Sequence, residues 1–221
     1  MSNMYGAGSE TQEQAIPQTI GGGIHKDLTL SDVKYESLSE GNDPVLQIEF
    51  KNSSGATLNE VMWPIDESRI RGWNDGKKKH KIDNPEKEFV KGEVITPDES
   101  IVIAANEFNV KLKHIATKFK STEVVENKLD PSNISGYEDY AQKYITLLSS
   151  VNDDQKVRLK VTLNNKDYSQ LPKFPPFIEL MDVDKEDSKL KINPRYDKIE
   201  ASSIESDADN AAVADIDEAT F

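Results

Sequence analysis

Two stretches of the chain mix side chains that could hold a flexible polyanion with side chains that could hold its flat rings. From position 69 to 81 come Arg69, Arg71, Trp73, Lys77, Lys78, Lys79 and Lys81 against a single acid, Asp75. From 156 to 173 come Lys156, Arg158, Lys160, Lys166 and Lys173 against Asp167, with Tyr168 among them and Phe174 and Phe177 just beyond. Cations meet phosphates and exposed aromatic faces stack on bases, so the combination points to a surface for single-stranded nucleic acid. Residue by residue a plainer reading stays open. On that reading Arg158 and Lys160 are a solvated strand face, Lys77 to Lys81 an exposed loop, and Trp63 a core residue.

Residues for bond-making chemistry are missing in the patterns that chemistry needs. His25, His80 and His114 have no partner at metal-ligand spacing, and there is no cysteine to help. No phosphate-binding glycine loop and no nucleophile elbow occurs. Asp182-Val183-Asp184-Lys185-Glu186-Asp187 lacks the central glycine and the terminal glutamate of a calcium loop and reads as a solvated turn. We therefore expect no enzyme, no cofactor and no metal. The absence of cysteine fits a reducing compartment such as a cytoplasm. No run of apolar residues is long enough to span a membrane, and the first residues lack the pattern of a secretory signal.

The formal net charge of −13 argues at first against a polyanion as partner. The charge is unevenly spread, however. Residues 1–24 carry two acids and residues 200–221 carry seven, and neither stretch carries a base, which leaves 31 acids facing all 27 bases in between. The body is nearly balanced. The closing stretch, ESDADNAAVADIDEATF over 205–221, is acidic and ends in Phe221. A ring beside a carboxylate can dock in an apolar pocket lined by basic side chains of a partner protein. Asp215, Asp217, Glu218 and Phe221 are the candidate contacts.

The elements that must position these residues can be read from periodicity. Residues 1–26 read as a flexible leader because of Gly21-Gly22-Gly23, 27–199 as one folded domain, and 200–221 as a disordered acidic tail. Leu46, Ile48 and Phe50 alternate with polar residues, so 45–50 is a half-buried strand. A turn at Asn52-Ser53-Ser54-Gly55 leads into a third strand over 58–65. A long irregular loop follows over 66–96. A helix capped by Asp98 or Ser100 then runs its apolar face through Ala104, Phe108, Leu112, Ile115 and Phe119. A second helix over 137–150 turns Tyr140, Tyr144 and Leu147 or Leu148 inward. Val157, Leu159, Val161 and Leu163 share one strand face, and Arg158, Lys160 and Thr162 share the other. A hairpin turn over 164–167 leads to a return strand over 168–171. Lys173 to Phe177 is extended because of its prolines. Short strands over 178–181 and 190–192 close the domain.

Lys111-Leu112-Lys113-His114-Ile115-Ala116-Thr117-Lys118-Phe119 and the stretch from Val157 to Leu180 resemble single-stranded DNA-binding proteins of tailed bacteriophages. The acidic ending with its terminal phenylalanine is similar to the tails of bacterial and phage proteins of that kind, although Thr220 stands where they often have proline or another acid. The resemblance implies an α+β fold, an OB-like antiparallel β-barrel with inserted helices between disordered tails. It implies DNA replication or recombination in the cytoplasm of a host cell as the setting. Lys111, Lys113, Arg158 and Lys160 would then join the DNA contacts, and the tail would compete for the groove and recruit replication or recombination proteins. The alternative from the residues is a virion-assembly or protein-interaction module that binds no DNA.

Overall fold

The computed structural model describes residues 18–70, 73–74, 94–151 and 154–199, with the backbone alone at 73–74 and 94–95. The expected Arg71, Lys77, Lys78 and Lys79 contacts, the Trp73 side chain and the whole tail with Asp215, Asp217, Glu218 and Phe221 lie outside the described residues.

The chain forms a nearly closed antiparallel β-barrel with three helices, an α+β fold of OB-like architecture. The first strand, β1 (Gly23–Glu36), is long enough to serve two neighbours. Its first half pairs with β6 (Lys156–Leu163) and its second half with β2 (Val45–Lys51). Register shifts on both ladders bend it between them, and Asp27 takes up a left-handed conformation (φ 59°) at one of these shifts. Such bulges coil a strand so that a sheet can close on itself. β1 begins inside the stretch expected to be a flexible leader. Gly22 and Gly23 are buried, Gly23 opposite Val161, at φ 145° where a side chain would be strained. The glycine run therefore serves close strand packing rather than flexibility.

β2 turns through Asn52–Gly55 into β3 (Thr57–Met62). β3 was expected to continue to Ile65 but stops at Met62. The Tyr137 hydroxyl lies in the last rung of the ladder, accepting from the Leu46 N–H at 2.7 Å and donating to the Met62 carbonyl. Pro64, which has no N–H to donate, follows at once. Within 66–96, expected to be an irregular loop, Trp73–Asn74 (β4) and Val94–Ile95 (β5) form a two-residue ladder. Helix α1 (Pro97–Ala116) is capped at Thr96, two residues before Asp98 and four before Ser100, the two expected caps. Thr96 and Glu99 form a reciprocal capping box with Pro97 in the first turn. Leu112, Ile115 and Ala116 are fully buried, Phe108 packs against the core, and Phe119 does so from beyond the helix end.

A short helix, α2 (Thr122–Lys128), was not anticipated; Ser121 caps it, and Val125 and Leu129 are buried. In α3 (Tyr137–Leu148), Tyr140, Tyr144, Leu147 and Leu148 are buried, as the periodicity requires. Edge-on contacts of Tyr137 with Tyr35 and Phe108, and of Phe108 with Tyr140, hold the helices on the sheet. After β6 come β7 (Ser169–Gln170) and β8 (Ile178–Leu180), which occupy the same edge of β6. They are two pieces of one broken strand. Two residues of β6, Lys160 and Val161, face seven of the return, Leu171 to Phe177. The surplus leaves the sheet as Leu171-Pro172-Lys173-Phe174-Pro175-Pro176-Phe177, whose three prolines cannot donate to a ladder. Residues 190–192, expected as a strand, form none, although Leu190 is buried.

Candidate nucleic-acid interface

The strand-face expectation is the main correction. Arg158 and Lys160 do point away from the core, as the alternation of β6 demands, but that face is covered. The segment 181–199 crosses it. Arg158 is only 6% exposed, lies 3.5 Å from the Glu179 carboxylate, and points toward the Val183 carbonyl. Glu179 is held in turn by the Ser188 hydroxyl at 2.7 Å and the Lys189 N–H at 2.5 Å. Lys160 reaches the Asp197 carboxylate at 2.5 Å and the Lys191 carbonyl at 2.9 Å. The Leu163 N–H donates to the Lys198 carbonyl. These two cations clamp the chain's own crossing segment. Strand periodicity reports which face a residue takes, not what later lies across it.

The other described cations on the expected list are also in ion pairs. Lys111 bonds the buried Glu60 carboxylate at 2.5 Å and the Leu171 carbonyl at 3.0 Å. Lys113 pairs with Glu126, and Arg69 with Asp66 at 2.8 Å on the surface. Lys173 pairs with Glu107 of α1 at 2.7 Å, but its side chain remains 63% exposed and its ammonium sits 5.3 Å from the centre of the Phe174 ring. A surface pair of this kind is weak and can be exchanged for another anion. The buried pair of Lys111 cannot, because stranding Glu60 in the interior is costly.

The expected aromatics fare differently. Tyr168 is 66% exposed and Phe174 59%. Trp63, for which a core position was the plainer reading, is 60% exposed. Apolar rings of this size are normally covered. All three lie next to β3 or β7, the end strands of the sheet, between which the described residues form no ladder and leave a seam. Counting antiparallel pairings around the sheet, β3 and β7 run in the same direction. Tyr168 therefore enters β7 at one end of the seam, while Trp63 leaves β3 and Phe174 leaves β7 at the other. Lys166, in the turn before Tyr168, is exposed and makes no ion pair among the described residues. Pro64 directly after Trp63 was the signal that could have placed that ring outside the strand.

The seam is bridged at two points. Residues 18–20 add to the edge of β3, Ile20 donating to the Thr57 carbonyl and Thr57 to the Gln18 carbonyl, both at 2.9 Å. Farther along, Glu60 reaches across and accepts the Leu171 N–H at 2.7 Å. His114 lies deeper, its ring edge-on to Phe177 at 4.9 Å and its buried Nε2 without a hydrogen-bond partner. Burial, reinforced by the Lys118 charge, lowers its pKa to about 4, so the imidazole is neutral and packs as a core ring. Among the described residues no cluster of histidine and acidic side chains could hold a metal, and no helix is long and apolar enough to cross a membrane. Compared with family models, with curated proteins and with solved structures, the chain matches none.

Proposed function

We propose that the protein binds single-stranded DNA along the β3–β7 seam and has no catalytic role. The observation that carries this reading is the set of three rings, Trp63, Tyr168 and Phe174, each more than half exposed beside the open seam of an OB-like barrel. Barrels of this kind offer a concave strand-and-loop surface to oligonucleotides, but the fold alone decides nothing. What favours a nucleic acid is the pairing of exposed rings with Lys166 and Lys173. The basic stretch from Arg69 to Lys81 would add phosphate contacts, and the acidic residues 200–221 would compete with DNA for them and recruit replication or recombination proteins. Arg158, Lys160, Lys111 and Lys113 have no part in this reading, because their charges are engaged within the fold.

Titration of tryptophan fluorescence with oligo-dT tests it. Saturable quenching is expected, tighter for single strands than for duplex and weakening as salt rises. Absence of quenching, or equal affinity for duplex, favours a protein-interaction module instead.

A further inference from the structure

Between the two bridges the seam holds an open notch of about 320 Å³. Thr19, Thr57, Leu58 and Asn59 line one side, and Asp167, Tyr168 and Ser169 the other; Leu58 is buried, Tyr168 is exposed and the Asp167 carboxylate pairs with Lys198.

Ladder alternation fixes what the walls offer. The N–H and C=O of Thr57 point out of the β2–β3 ladder, since both are bonded to residues 18–20. Two residues on, the main chain of Asn59 points the same way. On the facing strand, the Tyr168 carbonyl is taken by the Asn164 N–H across the β6–β7 hairpin, so the main chain of Ser169 points to the seam. Leu171 confirms that parity, because its N–H and C=O face the seam and are taken by Glu60 and Lys111. Among the described residues no hydrogen bond joins the main chains of Asn59 and Ser169 to each other or to a third group. Each wall therefore presents one donor and one acceptor. Such groups require a partner when a ligand excludes water.

The length of this open edge selects its occupant. Of the notch-lining residues whose main chains face the seam, Thr57 is already paired, so within the notch one residue on each wall is unpaired, which is too short for an added β-strand. A single flat group with donors and acceptors on its edge fits the demand, and an exposed ring stands at the rim. We infer that the notch receives one unpaired nucleobase, which meets the Asn59 and Ser169 main chains through its hydrogen-bonding edge and stacks on Tyr168. This rests on the strand-binding reading and deepens it. A base in duplex has its edge occupied and would be refused, so the notch is a source of strand selectivity that requires no base-specific side chain.

The test uses the full chain and two oligomers of equal length, oligo-dT and one made of abasic sites, which keeps the phosphates and lacks the bases. The variant is Thr19→Leu, whose side chain is exposed and would fill the notch; Ser169→Leu fills it from the facing strand. Thermal melts establish that each folds. Wild type should prefer oligo-dT by more than tenfold, since more than one ring stacks. Both variants should lose about tenfold of that preference, the scale of one base, and bind the abasic oligomer as before. If the filled variants keep the full preference, or lose affinity equally for both oligomers, the notch takes no base, although strand binding stands. If wild type binds neither oligomer, the strand-binding reading itself falls.

Discussion

The outer face of β6 and the β3–β7 seam invite opposite conclusions from similar sequence. β6 places Arg158 and Lys160 on one face, the pattern of a basic binding surface, yet both are clamped under residues 181–199 by Glu179 and Asp197. The seam carries fewer charges, and its lysines at 166 and 173 are ordinary in sequence, yet it exposes three large rings. The first region spends its cations on internal order. The second leaves apolar surface uncovered at a stability cost that only a ligand would offset. Charge that is already paired inside the fold does not report a binding face; unpaired rings beside an open strand edge do.

The largest expected effect sharpens the seam side. Glu60→Ala or Lys111→Ala leaves the other charge buried, and Glu60→Ala also orphans the Leu171 N–H, so each should cost about 3–5 kcal/mol. The double change to methionine should recover much of that loss, as urea denaturation would measure. Equal losses in the single and double variants would mean that the pair is not a mutual compensation.

Arg158→Ala probes the covered face. It removes the cation beside Glu179, but that carboxylate keeps two hydrogen bonds from Ser188 and Lys189. The Arg158 Nε is itself buried without a partner. A smaller loss of about 1–3 kcal/mol is expected, with faster proteolysis within 181–199 and unchanged DNA affinity. Intact stability with weakened DNA binding would reverse the assignment of the two faces.

His114 supplies a pH test of similar or smaller size. Its pKa is about 4 in the fold against an ordinary 6.5, so as pH falls the unfolded chain takes up the proton first. The stability contributed by the neutral ring is complete above pH 6.5 and drains away down to about pH 4, by at most about 3 kcal/mol. His114→Leu should flatten the pH profile across that window. An unchanged slope would assign acid sensitivity to other groups.

Much of the fold was legible because period and polarity coincide in it. β2, β6 and α3 each repeat an apolar residue at the spacing of their element, and the buried set agrees. α2 was missed because two turns containing Val124, Val125 and Leu129 are too short to establish a period, although Ser121 was a cap signal. The covering of Arg158 was not legible, since it depends on contacts with Glu179 and Val183, which lie far along the chain. Tyr168 and Phe174 were legible as site candidates because they stand among lysines in sequence, although Tyr168 was expected inside the return strand and lies just before it. Trp63 was read inside the third strand although Pro64 argued against it; what ends the strand is the Tyr137 hydroxyl, from a helix 75 residues beyond Met62.

The comparison of the two faces is tested most directly by titrating oligo-dT into Tyr168→Ala/Phe174→Ala and into wild type at moderate salt. Both rings are more than half exposed, so the double variant should melt within about 0.5 kcal/mol of wild type. At about 1–3 kcal/mol per stacked base, its affinity should drop by more than tenfold. Unchanged affinity, with folding intact, would contradict the assignment of the seam as the binding face.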